Sequence, residues 1–173
     1  MKLGLFDHMQ KHDNPARSYV DLYKNHLEVL ECADQAGMDF YFVAEHHFDM
    51  GFSECPSPGS FLGAASQRTK NIRLGPLVYV LPLWNPIRVA EEVALLDNLT
   101  QGRLEVGFGA GICKELFDGQ TIGAHNQGAE AAVGSFDDGL QGFFEHPKWH
   151  RLWVCVLYRG TDQSQTKVCA TKC

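Results

Sequence analysis

Three adjacent residues that can hold or transfer a proton, Glu45, His46 and His47, directly follow the apolar stretch FYFVA at positions 40–44. A continuous run of aromatic and β-branched residues is typical of a strand that is covered on both faces. Histidine changes its charge near neutral pH and can act as an acid or a base in catalysis. An isolated pair of histidines can also simply close a strand, so the surroundings of the triplet decide its meaning.

Metal binding is a second chemical use of these side chains, together with Asp49. Neighbouring residues of an extended strand point in opposite directions and cannot all converge on one ion. They also lack the HxxxH or HxH spacing of metal ligands. No metal site is therefore expected. The other histidines are scattered, and among them only His8, which follows the first predicted strand, is expected to reach the same region.

The elements that position the triplet alternate regularly over residues 1–111. Apolar runs predict strands, and stretches with apolar residues three and four positions apart predict helices between them. Each helix is expected to begin with a capping residue followed by proline, and glycine is expected to end the first and third helices. Strands are predicted at 3–6, 40–44, about 72–81 and 103–111, and helices at 15–36, from 58 onward and at 86–101.

This alternation predicts right-handed crossovers and a parallel sheet, either open and doubly wound or closed as a barrel. In both architectures ligands bind at the carboxyl ends of the strands. Glu45, His46 and His47 lie at such an end, as does the glycine-rich loop Gly107–Gly111. That loop could cradle a phosphate, but it lacks the full dinucleotide fingerprint, and a tight turn explains it equally well.

The composition of the 173 residues, 45% hydrophobic and 21% charged, is that of a folded globular domain. A net charge of −6 without a block of basic residues argues against a nucleic-acid partner. No apolar run reaches the ~20 residues that span a membrane, and the start is not a secretory signal, so a cytoplasmic location is expected. The six cysteines show no paired spacing, which predicts free thiols.

The pattern changes near residue 112. Glycines interrupt any helix in a divergent continuation at 112–158, where the one predicted strand is 152–158. Residues 159–173 are polar and predict a flexible tail.

Four stretches carry a resemblance to a known family: MKLGLF at the start, AEHHF after the second predicted strand, AASQRTKNIRLG leading into the third, and LPLWNPIRVAEEVALLDNLTQGRLEVGFGAG through the fourth. In order and spacing they resemble the bacterial luciferase-like monooxygenases over about residues 1–111. The resemblance implies an α/β fold, the amino-terminal half of a (β/α)8 barrel with parallel strands and crossover helices. It also implies a cofactor, with reduced FMN as the first expectation and the deazaflavin F420 as the alternative.

The resemblance further implies roles for individual residues. His46, the first histidine of the EHH motif, corresponds to a catalytic residue near the flavin, and Glu45 and His47 would form the same wall. Leu77 and Val78 fall where the family has a non-prolyl cis peptide bond beneath the flavin ring.

The glycine-rich loop Gly107–Gly111 and the chain length differ from the family pattern. Ala110 stands where many relatives have an arginine that helps to bind the flavin phosphate, and Gly109 stands where some luciferases have a reactive cysteine, which Cys113 lies too far along to replace. A complete barrel needs about 250 residues. The chain is therefore a fragment, or it left the family's reading frame near residue 112, or two chains complete one sheet.

The sequence thus predicts a flavin-dependent monooxygenase or oxidoreductase of the luciferase-like type, which acts on a small organic substrate with reduced flavin and oxygen. The chain alone is not expected to be active. The alternative is a non-catalytic remnant that binds flavin weakly, or that binds a partner through its unfinished sheet. Open edges of a half barrel favour association of identical copies, so a homo-oligomer is expected to form through them.

Overall fold

The computed structural model of the chain describes residues 1–11, 14, 16–47 and 52–109, and the backbone of two further strands at 153–159 and 166–172. Within these ranges, strands alternate with helices. In chain order, the elements are β1 (Gly4–Asp7), α1 (Tyr19–Gln35), β2 (Phe40–Val43), α2 (Pro58–Arg68), β3 (Arg73–Pro76), β4 (Tyr79–Val80), a 3-10 turn (Leu81–Leu83), α3 (Pro86–Thr100), β5 (Glu105–Gly109), β6 (Trp153–Arg159) and β7 (Thr166–Lys172).

The strands are arranged side by side in the order in which the chain makes them. β1, β2 and β3 are parallel, and so are β4, β5 and β6. A parallel bridge between Leu74 and Leu104 brings β3 beside the start of β5. β7 pairs with β6 in the antiparallel direction. The predicted α/β fold with parallel strands and crossover helices is confirmed.

The third predicted strand, about 72–81, is divided in two. β3 pairs with β2, whereas β4 pairs with β5. The chain therefore changes its strand neighbour at residues 77–78, between the two short strands. The apolar pattern alone does not reveal this break, because residues 74–81 contain no charged residue and run across it without interruption.

One face of the sheet packs against the helices and forms the core. Successive side chains of a strand point to opposite faces, and Tyr41, Val43, Leu74 and Phe108 are almost completely buried on the helix side. The helices bury apolar residues three or four positions apart, as an amphipathic helix does. These residues are Leu30 and Ala33 of α1, Leu62 and Ala65 of α2, and Val89, Val93 and Leu96 of α3.

The opposite face of β1 and β2 carries three phenylalanines. Phe40 and Phe42 are half-buried and stack with their ring centroids 6.0 Å apart, while Phe6 is 50% exposed. The sequence predicts a strand covered on both faces at 40–44. Among the described residues only the helix side is fully covered, because no second layer packs on the phenylalanine side.

The helices begin and end near the residues that local signals indicate, but the cap expected at Ser57 makes no side-chain hydrogen bond and α1 begins later than expected. Asn85 caps α3 by accepting hydrogen bonds from two backbone N–H groups of its first turn. Gly37 follows α1 with a left-handed φ of 77°. The predicted start of the first helix at Pro15 is wrong, because Ser18 is the residue whose side chain caps the helix, and α1 begins at Tyr19.

Asp34 and Arg103, together called the amino-terminal network, hold the loops and helix ends at the amino-terminal ends of the strands. Asp34 accepts hydrogen bonds of 2.7–2.9 Å from the three consecutive backbone N–H groups of residues 70–72. Burial alone would raise the pKa of Asp34, but these bonds and the nearby Arg103 charge hold the pKa below its usual value. The Arg103 guanidinium donates at 2.9–3.2 Å to Thr100 O, Thr69 Oγ1, Ile72 O, Ser66 O and Thr69 O.

The last two strands lie in the segment where the sequence pattern is weak. β6 occupies nearly the same residues as the strand predicted at 152–158. β7 lies inside the segment predicted to be a flexible tail, since backbone pairing with β6 does not depend on apolar side chains. Among the described residues, no helix combines the length and the apolar character that a membrane span requires.

Candidate functional site

The carboxyl ends of β1, β2 and β3 lie side by side at one edge of the sheet. Asp7 is opposite Val43 in the β1–β2 pair. The backbone N–H of Leu77, just after β3, donates to Val43 O at 2.9 Å. Residues that directly follow β1 and β2 are therefore neighbours in space. This edge, which carries His8 and residues 45–47, is called the carboxyl rim below.

Glu45 is the hydrogen-bonding centre of the carboxyl rim, although its side chain is 0% exposed. Its Oε1 atom accepts a hydrogen bond from Trp84 Nε1 at 2.8 Å and lies 2.7 Å from His47 Nε2. Its Oε2 atom accepts from the backbone N–H of Val80 at 3.0 Å. A buried carboxylate needs such partners, because burial without them is strongly unfavourable. Glu45 thereby fastens the end of β2 to β4 and to the turn that follows.

His46 belongs to a cluster of rings at the carboxyl rim. Its backbone N–H donates to Cys55 O at 3.1 Å, which fixes the chain at both ends of the segment after β2. Its imidazole lies edge-on to Phe52, with centroids 5.5 Å apart, and 5.9 Å from the ring of His8. His8 in turn contacts Phe6 at 4.7 Å and Phe52 at 5.2 Å. These four residues are called the ring cluster: Phe6, His8, His46 and Phe52.

Asp7 organises the end of β1. Its Oδ2 atom accepts from the Tyr41 hydroxyl at 2.5 Å and lies 2.6 Å from His26 Nδ1, and its Oδ1 atom accepts from the backbone N–H of Met9 at 2.7 Å. Burial would raise the pKa of Asp7, but the bonds from His26, Tyr41 and Met9 outweigh burial and lower the pKa. Burial and the Asp7 charge raise the pKa of Tyr41, so its hydroxyl stays protonated and donates.

The break between β3 and β4 adjoins this rim. The Leu77–Val78 peptide bond is cis, as the resemblance predicted, and both residues are half-buried. Gly107 of β5 approaches them closely, since a Cβ at this position would lie 2.8 Å from Leu77 Cδ1 and 3.2 Å from Val78 Cγ1. The close approach favours glycine at position 107, because a Cβ there would also lie 3.1 Å from Pro76 O and would displace the Leu77 side chain.

The carboxylate of Glu92 on α3 lies behind the carboxyl rim, in the layer between the sheet and the helices. The buried Tyr79 donates its hydroxyl to Glu92 Oε1 at 2.6 Å. Burial and the Glu92 charge raise the pKa of Tyr79. Gly59, in the first turn of α2, leaves room for this pair, because a Cβ there would lie 1.9 Å from Glu92 Oε1.

The structure brings most of the predicted site residues to one place. Glu45, His46 and His47 share the carboxyl rim, and residues 77–78 adjoin it because the N–H of Val80, in the strand β4 that follows them, donates to Glu45. Gly109 is buried at the end of β5. Ala110 lies outside the described residues. Contact of these residues with a cofactor stays a prediction.

Two rim residues were not anticipated from the sequence, Asp7 and Trp84. Asp7 ends an apolar strand as Glu45 does, so the same signal marks it. Trp84 has no such signal, because its partner Glu45 lies 39 positions away in the chain. Within the described ranges, no group of three or more His, Cys, Asp or Glu side chains is arranged to hold a metal ion.

The carboxyl rim has the chemistry that suits a planar aromatic ligand. Phe6 and Phe52 expose 50% and 37% of their surface there, and two imidazoles lie beside them. The Nδ1 atom of His8 is buried and has no hydrogen-bond partner among the described residues. An apolar wall with a few polar groups is typical of cofactor sites, and these residues fit the ring of a flavin.

The sequence profile of the luciferase-like monooxygenases matches residues 1–144. The match covers most of the chain, and the chain belongs to this family. The matched region continues to residue 144, past residue 112, where the sequence pattern changes.

Individual relatives agree with this assignment. The oxygenase component of the flavin-dependent trigonelline monooxygenase from Acinetobacter baylyi is 34% identical over 111 residues, which are 64% of this chain and 30% of that protein. The oxygenating constituent of 3,6-diketocamphane monooxygenase from Pseudomonas putida, a type II Baeyer–Villiger enzyme solved with FMN, matches in fold with a TM-score of 0.73 at 21% identity. That match covers 99% of this chain and 44% of the other.

An F420-dependent secondary alcohol dehydrogenase matches with a TM-score of 0.63 at 21% identity, covering 96% of this chain and 46% of the other. The chain thus spans less than half the length of these relatives. Its fold is the amino-terminal half of a (β/α)8 barrel of the luciferase-like type, as predicted.

Proposed function

We propose that the chain is part of a flavin-dependent monooxygenase that oxidises a small organic substrate. Membership of the luciferase-like family supports this class of reaction, and the similar trigonelline monooxygenase is flavin-dependent. The observation that carries the proposal is the position of His46. It lies in the ring cluster at the carboxyl rim, where parallel α/β folds bind their ligands.

Reduced FMN is the proposed cofactor, and F420 is the alternative. One similar structure contains FMN, and another belongs to an F420-dependent enzyme. When bound, reduced flavin supplies the electrons that activate oxygen. Phe6 and Phe52 would cover the ring and keep water away from it. Residues 77–78 and 109–110 are the further cofactor contacts that we expect.

His46 is the residue that we expect to hold or move a proton at its imidazole. It is half-buried beside the apolar ring of Phe52, which limits access of water to it. Glu45 supports the same wall indirectly, because both of its oxygens are occupied by neighbours within the protein. Its carboxylate orients the His47 imidazole and holds Trp84 at the rim.

Titration of oxidised FMN fluorescence tests the proposal. The wild-type chain should quench FMN with a Kd of about 50 μM or tighter, and His46→Ala should weaken binding about tenfold, equivalent to ~1.4 kcal/mol. Cys32→Ser is the control, because Cys32 is exposed on α1 and should not affect binding. Circular dichroism checks that each variant is folded. Absence of quenching by the wild-type chain would contradict the proposal, and stronger binding of F420 than of FMN would reassign the cofactor.

The alternative function, a non-catalytic remnant that binds a second copy, is favoured by one observation. β1 is the edge strand of the described sheet, and Leu3 just before it and Phe6 within it are 51% and 50% exposed. An apolar, unpaired strand edge promotes pairing with another chain. Sedimentation equilibrium measures the mass in solution. A dimer that does not quench FMN supports the remnant, whereas quenching by a monomer excludes it.

A further inference from the structure

The turn after β1 holds His8 in a defined position. Met9 has a left-handed backbone conformation with a φ of 50°, which is rare for a residue with a long side chain. Its side chain is completely buried, and its N–H donates to Asp7 Oδ1 at 2.7 Å. Such conformations persist only where the surrounding structure imposes them, and they concentrate at functional sites. His8 lies between Asp7 and Met9, which are both held in place by these contacts, and it is therefore confined to the carboxyl rim.

Packing does not explain why position 8 is a histidine. The imidazole contacts the rings of Phe6, Phe52 and His46 with centroids 4.7–5.9 Å apart, and a phenyl ring would make the same contacts. The buried Nδ1 atom of His8 has no hydrogen-bond partner within the described ranges. A neutral imidazole carries one donor and one acceptor, and leaving a buried one unsatisfied disfavours the folded state. For stability alone, phenylalanine would be the better residue here.

We propose that His8 is a further contact residue of the flavin site and that it hydrogen-bonds the flavin ring that His46 also meets. The inference rests on the proposed function. The half-buried imidazole of His8 keeps part of its surface accessible at the rim, within 5.9 Å of the His46 ring. Because Nδ1 is buried, the nitrogen assigned to this bond is Nε2, for which the oxygen and nitrogen atoms along the edge of a flavin ring are suitable partners. Asp7 is a positioning residue, because it acts on this contact only through the turn at Met9.

Substitution by a ring of similar shape separates packing from hydrogen bonding. His8→Phe retains the aromatic contacts and removes both nitrogens, whereas His8→Gln and His8→Asn each retain a side-chain nitrogen. The full chain and these variants are titrated with oxidised FMN, and thermal unfolding is recorded on the same samples. His8→Phe should bind FMN about five- to tenfold more weakly, the loss expected for one hydrogen bond. It should unfold at the same or a higher temperature, and at least one of the two amide variants should recover part of the affinity.

A double-substitution cycle tests the role of Asp7. Asp7→Asn alone should weaken FMN binding less than His8→Phe does. The double variant should bind no more weakly than His8→Phe alone, because Asp7 acts through His8. Additive losses would overturn the positioning role.

The outcomes separate this inference from the proposed function. Equal FMN affinity of the wild-type chain and folded His8→Phe would overturn the inference and leave the proposed function intact. Absence of FMN quenching by the wild-type chain would overturn both. If His8→Phe does not fold, the imidazole serves the fold, and the inference is overturned unless a folded amide variant binds FMN as the wild type does.

Discussion

The two ends of the parallel sheet use charged side chains in different ways. In the amino-terminal network, Asp34 and Arg103 bond almost entirely to backbone groups of the loops and of the helix ends beside them. At the carboxyl rim, Asp7 and Glu45 each accept one backbone N–H, but their remaining partners are two imidazoles, a phenol and an indole.

Under the proposed function, this difference separates residues that only stabilise the fold from residues that also position cofactor contacts. Bonds to backbone groups fix loops and satisfy polar atoms that would otherwise be buried alone. Bonds to imidazole, phenol and indole side chains also orient groups that ionise or contact a ligand. Variants of the amino-terminal network should therefore change only the free energy of unfolding. Variants of Asp7 and Glu45 at the carboxyl rim should lower the free energy of unfolding and also weaken the affinity for FMN.

The largest effect on stability is expected for Arg103→Ala. It removes five hydrogen bonds and leaves several carbonyl groups without partners, which should lower the free energy of unfolding by about 3–4 kcal/mol. Arg103→Lys retains the charge but not the fork of donors, so it should restore only part of the loss. Urea denaturation measures both variants, and FMN affinity of the folded protein should not change. Weaker FMN binding by folded Arg103→Lys would contradict the separation of the two ends.

Glu45→Gln should change both quantities. The amide would point a donor at one of the N–H groups that now donate to the carboxylate, which should cost about 2–3 kcal/mol. The variant would also lose part of the hydrogen bonding that orients His47 and Trp84 at the rim, which should weaken FMN binding. Glu31→Gln is the matched control, since it breaks the surface pair with Arg68 and should change stability by less than ~1 kcal/mol. An equal FMN affinity in Glu45→Gln and the wild type would show that the buried carboxylate does not shape the site.

Asp7→Asn should have a smaller, pH-dependent effect, about 1–2 kcal/mol at pH 7. The pKa of Asp7 is lowered in the folded chain, so its ionised form stabilises the fold above the ordinary carboxyl pKa of about 4. This contribution is lost as the pH falls through the lowered pKa. Urea denaturation between pH 7 and pH 3 should therefore show the difference between variant and wild type narrowing below pH ~4. A difference that stays constant to pH 3 would mean that the Asp7 charge is not involved.

The smallest effects are expected for two cysteines at opposite ends of the sheet. Cys32 is exposed near the end of α1, whereas burial raises the pKa of the Cys55 thiol at the carboxyl rim to about 12. A thiol reagent at pH 8 should react with the native chain at Cys32 and not at Cys55. Cys32→Ser should therefore remove one equivalent of fast reaction, and Cys55→Ser none. Stability of Cys32→Ser should stay within ~0.5 kcal/mol of the wild type. Fast reaction at Cys55 would show that the rim opens to solvent.

The features predictable from the sequence are those that depend on neighbouring residues. Apolar spacing located the helices and the parallel strands, and Asn85 and Gly37 marked helix ends, because caps and turns are local. The start of α1 was wrong because two capping signals, Asn14 and Ser18, lie close together and only one of them caps the helix.

The features that could not be predicted depend on distant residues. The EHH triplet marked the carboxyl rim correctly, but nothing in the sequence indicates that Glu45 turns inward while His46 joins a ring cluster. That arrangement depends on Trp84 and Val80, which donate hydrogen bonds to Glu45. They lie near Glu45 because β4 pairs with β5 and not with β2. The cis peptide bond at 77–78 was predicted by resemblance and not by the local pattern.

The loop after β2 is tied at its two ends. His46 N–H bonds to Cys55 O at 3.1 Å, and the Tyr23 hydroxyl of α1 donates to Glu54 O at 2.8 Å. The entropic cost of closing a loop grows only slowly with its length. Insertions or deletions between residues 47 and 54 should therefore leave His46 in its position. A change in the length of this segment is therefore expected to leave the arrangement of the carboxyl rim intact.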